Sequence, residues 1–285
     1  MIPRVGDTGV AARLRRRASI EFASARAASL LASDIASALR LRRLLLARRG
    51  GVRADSSPTE IVRLRPLRGQ SVELRPLAAD VQTVLDVFLD GEHLPPPLHL
   101  PPRVILDLGA NIGLTIAHFA TLYPTAKILG AELDPANARL AEANIRPWAD
   151  RCEVIAAAVW VEDGTVPYRQ QHGREVSHAI ASAEEATATA DAISINSLVR
   201  RAVGEIGDVD YVKMDIEGAE IDVLRNAESW ANRVRAIKVE VHPPYTLNDC
   251  QNDLADLGFE TRQERGRCDY VSGRRTLALS AGSAE

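Results

Sequence analysis

The chain has 285 residues, of which 46% are hydrophobic and 26% charged, the composition of an ordinary globular protein with one large or two smaller domains. No uninterrupted apolar run approaches the roughly 18 residues that a membrane-spanning helix needs, so we expect no transmembrane segment. The three cysteines lie far apart and match neither zinc nor redox spacing. We therefore expect free thiols and a reducing, cytoplasmic location.

Charge is divided unevenly along the chain. Residues 1–53 contain 12 arginines and three acids, whereas the rest of the chain contains 23 basic and 35 acidic residues. The net charges of these two parts are therefore +9 and −12. This asymmetry predicts a basic N-terminal extension, residues 1–57, attached to an acidic body.

The extension is rich in Ala, Leu and Arg, which predicts one or two helices. Leu31, Ile35 and Leu39 recur at intervals of four and predict an apolar stripe. We expect this stripe to pack on the acidic body or on a second subunit, the latter giving a homodimer through the N-terminal helices. A membrane-surface helix and a nucleic-acid contact are alternatives, but Phe22 is the only aromatic residue here and no nucleic-acid module is visible.

Residues 58–102 predict a hairpin and a helix that lead into a core domain. Apolar and polar residues alternate over residues 61–65 and 71–75, as in two short antiparallel strands. Residues 79–89 have an apolar face at helical spacing, and a proline-rich linker comes next. The core domain is expected to span residues 103–285.

A glycine-rich turn follows the first buried strand of the core domain. Residues 104–106 form a short apolar run, and the motif Asp-Leu-Gly-Ala-Asn-Ile-Gly at residues 107–113 precedes a helical stretch. The glycines are spaced Gly-x-x-x-Gly rather than Gly-x-Gly-x-x-Gly, and Asp107 would repel the phosphates of a dinucleotide. Because S-adenosylmethionine has no phosphate and carries a sulfonium and an ammonium, it suits this turn better.

A second acid follows the next predicted strand. Glu132 is placed to accept hydrogen bonds from both ribose hydroxyls of a bound nucleoside, a feature that NAD enzymes share. Asp107 as a cap of its own turn and Glu132 as a solvated carboxylate are the structural alternatives. The residues predicted to hold the cofactor are Asp107, Gly109, Ala110, Asn111, Gly113, Glu132 and Asp134.

Acidic residues also follow two later strands, predicted over residues 209–214 and 236–239. The ends of parallel strands border one crevice, so Asp215, Glu217, Glu240 and His242 are expected to converge there, with Glu220 nearby. Such a group can accept the proton of an attacking hydroxyl, and these four residues are the predicted catalytic set. Asp215, Glu240 and His242 could instead hold a divalent cation such as Mg²⁺. Structural roles, in cofactor binding or helix capping, stay open for each.

These segments resemble the FkbM family of S-adenosylmethionine-dependent methyltransferases. The resemblance covers residues 74–80, 104–113, 210–220 and 238–243, and its most specific part is the Lys-x-Asp-x-Glu-Gly-Ala-Glu run at residues 213–220. It implies a Rossmann-like class I methyltransferase fold: an α/β, mostly parallel seven-stranded sheet with helices on both faces, here preceded by the N-terminal helical extension. It also implies O-methylation of a hydroxyl on a small molecule, glycan or secondary metabolite. An NAD(P)-dependent oxidoreductase and a non-catalytic module that keeps the cofactor pocket are the alternatives.

Overall fold

The described part of the chain forms two compact units, residues 1–90 and 91–285. The computed structural model describes residues 7–47, 59–170, 178–180, 188–266 and 268–275. The boundary predicted between residues 57 and 58 lies outside the described residues. Helix α1 is the longest helix among them, and none of the described helices combines the length and apolar character needed to cross a bilayer.

The first unit consists of three helices and a hairpin. Strands β1 and β2 are antiparallel, and the third helix continues into one π-helical turn over Asp86–Asp90. The elements in chain order are α1 (Asp7–Leu31), α2 (Ile35–Ala47), β1 (Glu60–Arg63), β2 (Ser71–Leu74) and α3 (Ala78–Leu85).

A break between α1 and α2 changes the expected apolar stripe. The Asp34 carboxylate accepts the Ser37 N–H at 2.8 Å and thereby caps a new helix, so Leu31 and Ile35 belong to different helices. Leu31 is buried at 2% exposure, whereas Ile35 and Leu39 are 82% and 62% exposed. The prediction of one continuous stripe was therefore wrong: α2 buries its opposite side, which carries Leu41, within the unit.

The second unit is built on a seven-stranded sheet. Its order is β12-β13-β11-β10-β3-β4-β5, and the pairs from β11 to β5 are all parallel. Strand β13 is antiparallel to both of its neighbours. The strands are β3 (Val104–Leu108), β4 (Lys127–Glu132), β5 (Cys152–Ala156), β10 (Tyr211–Met214), β11 (Ala236–Glu240), β12 (Glu260–Arg265) and β13 (Asp269–Arg274).

Five helices cover this sheet. Ile105 belongs to an apolar core with Phe119 on one face of the sheet, while Leu106 belongs to a second core with Leu198 on the other. Side chains alternate along a strand, so these two cores lie on opposite faces, and the predicted doubly covered α/β sheet is confirmed. The helices are α4 (Leu114–Leu122), α5 (Pro135–Ile145), α6 (Ile195–Val203), α7 (Glu220–Arg225) and α8 (Leu247–Asp256).

A smaller four-stranded sheet, absent from the sequence prediction, comes after β5. Its order is β6-β9-β7-β8, and the first of these strands pairs in parallel with the strand that leads into α6. Its strands are β6 (Ala158–Trp160), β7 (Gly164–Gln170), β8 (His178–Ile180) and β9 (Ala188–Ser194).

The segment over residues 91–102 belongs to the second unit, although the sequence placed it before the core domain. The Tyr211 hydroxyl of β10 donates to the His93 carbonyl oxygen at 2.8 Å. Lys238 Nζ of β11 donates to the Glu92 carbonyl oxygen at 3.0 Å. These buried hydrogen bonds join the segment to the sheet, so the compact unit begins at residue 91 rather than at residue 103.

One buried ion pair gives a test of the first unit. The Asp80 carboxylate, 1% exposed, accepts from Arg75 Nη2 at 2.7 Å, from Nε at 3.0 Å and from the backbone N–H at 2.8 Å. Asp80→Ala leaves the guanidinium without this partner and should lower the free energy of unfolding by about 3 kcal/mol in urea unfolding followed by circular dichroism. Arg43→Ala, in an exposed ion pair with Glu60, should cost less than about 1 kcal/mol. If both variants lost the same free energy of unfolding, the buried pair would not stabilise the unit more than the exposed one.

Candidate functional site

The predicted site residues lie along one edge of the seven-stranded sheet. Strands β3, β4, β10 and β11 are parallel, so their carboxyl ends meet at this edge. The glycine turn follows β3, and Glu132 is the last residue of β4. Asp215 follows β10, and Glu240 ends β11. Local sequence places each group, and the parallel register brings the groups together.

The two glycines are required by the packing of the turn. Gly109 has φ +82°, and a Cβ there would lie 1.8 Å from the Asp215 backbone oxygen. Gly113 has φ +79°, and a Cβ would lie 2.9 Å from Ala141 Cα of α5. A side chain at either position would push the turn away from its neighbour. The glycines therefore seat the turn against β10 and α5.

Glu132 is held rigidly at the back of the turn. Its Oε2 accepts the Asn111 N–H at 2.7 Å, and its Oε1 accepts the Asp134 N–H at 2.9 Å. Burial raises the pKa of Glu132 to about 7, although the two backbone hydrogen bonds favour the charged form. The Asn137 side chain also donates to this carboxylate, which keeps acceptor capacity beyond these three donors.

A cleft lies between these elements. Its empty space, including the part that is open to solvent, is about 610 Å³. Three of the predicted cofactor residues, Gly109, Asn111 and Glu132, are on its walls, as are two of the predicted catalytic residues, Asp215 and Glu217. The other wall residues were not predicted: Ala131, Leu133, Asn137, Ala157, Ala158, Val159 and Ile216.

Asp107 does not face this cleft. It is fully buried, accepts a hydrogen bond from the Thr115 hydroxyl, and has Lys213 Nζ 3.5 Å from its Oδ1. Burial raises the pKa of Asp107, and the Lys213 ammonium opposes that shift. The acid expected to face a cationic ligand therefore faces a lysine of β10.

Ala110, Gly113 and Asp134 are also behind the walls. The N–H groups of Gly109 and Ala110 both donate to the Ala131 carbonyl oxygen at 3.0 Å, which joins the turn to β4. Asp134 caps α5, because its Oδ1 accepts the N–H of Asn137 at 2.7 Å. These residues support the cleft without lining it.

The predicted catalytic residues converge on one imidazole. His242 Nε2 lies 3.8 Å from Asp215 Oδ1, 3.7 Å from Glu217 Oε2 and 3.8 Å from Glu240 Oε1. Its Nδ1 lies 3.0 Å from Glu220 Oε1. We refer to these five residues as the acidic cluster.

Glu220 positions other residues of the acidic cluster through its hydrogen bonds. It is fully buried, and it accepts the Ile216 N–H at 3.0 Å and the Gly218 N–H at 2.8 Å in addition to its contact with His242. These bonds hold Glu217 at φ +54°, a conformation that costs a non-glycine residue free energy. Because Glu220 accepts, Nδ1 of His242 carries its hydrogen and Nε2 faces the three other carboxylates.

Crowding shifts the pKa values within the acidic cluster. Burial and the charge of Asp215 raise the pKa of Glu217 to about 7, and they also raise the pKa of Glu240. Burial lowers the pKa of His242, but Glu220 and the other carboxylates outweigh it and raise that pKa to about 9. Near neutral pH the cluster therefore combines an imidazolium with a carboxyl group that is close to half ionised.

One residue that joins the two parts of the site was not predicted. Lys213 Nζ donates to the Gly109 carbonyl oxygen at 2.9 Å and to Asp215 Oδ2 at 3.2 Å. The available signal was a lysine inside an otherwise apolar strand, two residues before Asp215 and therefore on the same side of it. Its partner Gly109 lies 104 residues away in the sequence, and that contact gave no signal.

Two curated relatives match part of this chain. Over an alignment of 196 residues it is 28% identical to the AMB antimetabolite synthetase AmbE of Pseudomonas aeruginosa. The match covers 55% of this chain and 9% of AmbE. Over an alignment of 158 residues it is 24% identical to the 2-O-methyltransferase NoeI of Sinorhizobium fredii. That match covers 50% of this chain and 65% of NoeI. The matches span less than two thirds of either relative.

Solved structures give weaker matches. An O-methyltransferase family protein from Burkholderia thailandensis has a TM-score of 0.42 and 14% identity, covering 70% of this chain and 60% of that one. A TM-score of this size is too low to transfer any property.

A family model matches more than half of the chain. Residues 107–270 match the methyltransferase FkbM domain, a span that begins at the glycine turn and includes the cleft walls and the acidic cluster. The chain therefore belongs to the FkbM family of methyltransferases.

Proposed function

We propose that this methyltransferase transfers a methyl group from S-adenosylmethionine to a hydroxyl oxygen of a small molecule, sugar or secondary metabolite. The observation that supports this most is that Asp215 and Glu217 belong to both the cleft and the acidic cluster. A methyl donor in the cleft would then lie next to groups that can take up a proton. The name of the relative NoeI, a 2-O-methyltransferase, agrees with oxygen as the acceptor atom.

The cleft walls suit the proposed cofactor. Glu132 would accept the ribose hydroxyls with the capacity that its backbone donors and Asn137 leave free. Asp215 and Glu217 would place negative charge near the sulfonium, whose methyl group is the electrophile that the cofactor supplies. Gly109 and Asn111 would contact the cofactor from the turn, while Asp107, Ala110, Gly113 and Asp134 act indirectly by holding the walls.

Proton transfer is the task of the acidic cluster. As the acceptor oxygen bonds to the methyl carbon, the bond from that carbon to sulfur breaks, and the hydroxyl proton must move to a base. We assign this role to Glu217, which lines the cleft, has a 39% exposed side chain and has a pKa of about 7. Asp215, Glu240 and His242 would orient the acceptor and balance the charge.

A divalent cation is a separable part of the proposal. One ligand atom each from Asp215, Glu240 and His242 lies within 4.8 Å of the others. Two carboxylates with an imidazole form a suitable donor set once His242 has released its Nε2 proton to the solvent. A cation such as Mg²⁺ at this position would supply Lewis acidity to the acceptor hydroxyl.

Cofactor binding should depend on Glu132 and on pH. Ionised Glu132 accepts hydrogen bonds better than the protonated form, so the Kd for S-adenosylmethionine should rise as the pH falls through about 7. In isothermal titration calorimetry, Glu132→Gln should weaken binding roughly tenfold and reduce this pH dependence to the part that ionisation of Glu217 causes. Glu142→Gln, the same change at an exposed carboxylate of α5, should behave like wild type.

The same titration distinguishes the alternative cofactor. Binding of NAD without binding of S-adenosylmethionine or S-adenosylhomocysteine would contradict the proposal and favour an oxidoreductase.

Turnover should depend on Glu217 more than binding does. Glu217→Gln should lower methyl transfer at saturating cofactor roughly 100-fold, because the glutamine amide cannot take up the hydroxyl proton. The measurement is label transferred from radiolabelled S-adenosylmethionine to acceptors in a cell extract, followed by identification of the product. Glu228→Gln, at an exposed position, is the matched control.

Two further outcomes decide between roles for the acidic cluster. A chelator that abolishes label transfer while S-adenosylmethionine still binds would support the cation. Full biological activity of both Glu217→Gln and His242→Gln would instead favour a non-catalytic binding module.

We further propose that the protein is cytoplasmic, because its three cysteines are free.

We also propose a homodimer formed through α1 and α2. Phe22, Leu30, Ile35 and Leu39 are exposed apolar residues on these helices. Replacing Ile35 and Leu39 with Glu should shift the mass in light scattering from dimer to monomer. Ile206→Glu, at a 97% exposed apolar residue elsewhere, should leave the mass unchanged. A monomeric wild type would contradict this part.

A further inference from the structure

Lys213 is a buried cation between the glycine turn and the acidic cluster. Its side chain is almost fully enclosed, and Nζ has three oxygen partners: the Gly109 carbonyl at 2.9 Å, Asp215 Oδ2 at 3.2 Å and Asp107 Oδ1 at 3.5 Å. The contacts to Gly109 and Asp215 are hydrogen bonds, whereas the contact to Asp107 is an ion pair without a hydrogen bond. Lys213 is not among the residues that line the cleft. Lys213 is therefore placed to hold other residues rather than to bind a ligand.

Two of these partners reach the cleft from different strands. Gly109 follows β3 and Asp215 follows β10, and both are on the cleft wall. The oxygens of Asp215 are divided: Oδ2 contacts Lys213, while Oδ1 lies 3.8 Å from His242 Nε2. Rotation of this carboxylate would break the Lys213 contact, so the lysine fixes the direction in which Oδ1 points.

We propose that Lys213 is a positioning residue for methyl transfer, which acts by fixing the Asp215 carboxylate relative to the glycine turn. This inference rests on the proposed function. It adds that the distance between the cofactor and the acidic cluster is set by one buried side chain. Asp107 has the complementary role, because its buried charge neutralises the lysine without facing the cleft.

Lys238 is a matched control in the same sheet. It is directly in register with Lys213 on the neighbouring strand, and both lysines are 6% exposed. Its Nζ contacts Glu264 Oε2 at 2.9 Å and the Glu92 carbonyl oxygen at 3.0 Å, neither of which lines the cleft. Lys238→Met thus removes a comparable buried cation without removing a contact to Asp215.

A double-mutant cycle tests whether Lys213 acts through Asp215. Lys213→Met alone should lower label transfer at saturating S-adenosylmethionine by roughly 10- to 100-fold, as expected for loss of a charge-assisted hydrogen bond. In an Asp215→Ala background, Lys213→Met should cause less than about a twofold further loss. Lys238→Met should give no such coupling with Asp215→Ala. Thermal unfolding and S-adenosylmethionine binding of each variant confirm that folded protein is compared.

Lys213→Met would leave the Asp107 charge buried without its partner and could prevent folding. The double variant Asp107→Asn/Lys213→Met removes both charges, and the cycle is then run with Asp107→Asn as its reference. Additive losses for Lys213→Met and Asp215→Ala, in an active wild type, would overturn the inference and leave the proposed function standing. Absence of cofactor binding and label transfer in wild type would overturn both.

Discussion

The site depends on the pairing of a buried ammonium with carboxylates at the centre of the sheet. Burial lowers the pKa of Lys213, but the charges of Asp215 and Asp107 outweigh it, and the pKa lies above its ordinary value. The lysine therefore stays charged, and the buried Asp107 is partnered. Because Asp107 and Lys213 are directly opposite each other on neighbouring strands, the pair also fixes the register of β3 against β10. This register therefore determines the distance between the glycine turn and the acidic cluster.

A second buried charge organises the loop after β10. Glu220 receives two backbone N–H groups and the His242 imidazole, so one carboxylate determines both the path of the loop and the direction of Nε2. The positive φ of Glu217 is a consequence of this path. Glu217 thereby faces the cleft from a backbone conformation that the loop alone would not favour.

Sequence reasoning predicted the elements that short local patterns determine. The apolar run of β3, the glycine turn and the strand that precedes Asp215 are each short continuous signals, and the expected sheet is confirmed. The partner of Asp107 could not be predicted, since an acid after a strand can face a ligand or a distant lysine equally well. The chain has only three lysines, and one of them lies inside β10. That combination was the one clue to a buried pair.

The cleft walls could not be predicted for a different reason. Ala157, Ala158 and Val159 line the cleft, but small apolar residues after a strand are common and point to no particular role. The break at Asp34 was readable in principle as a helix cap, but the regular spacing of Leu31, Ile35 and Leu39 predicted that these three residues share one face. Periodicity reports which residues share a face only while the helix is unbroken.

The smaller sheet connects one wall of the cleft to residues that lie outside it. Strand β6 contributes to the cleft wall and is paired in parallel register with β9, which enters α6 directly. Ala158 of β6 packs in one buried cluster with Val166 of β7 and Ala192 of β9, so the chain between β6 and β9 supports the wall from behind. A change of side-chain volume at Val166, which does not line the cleft, would therefore alter the shape of the wall through Ala158.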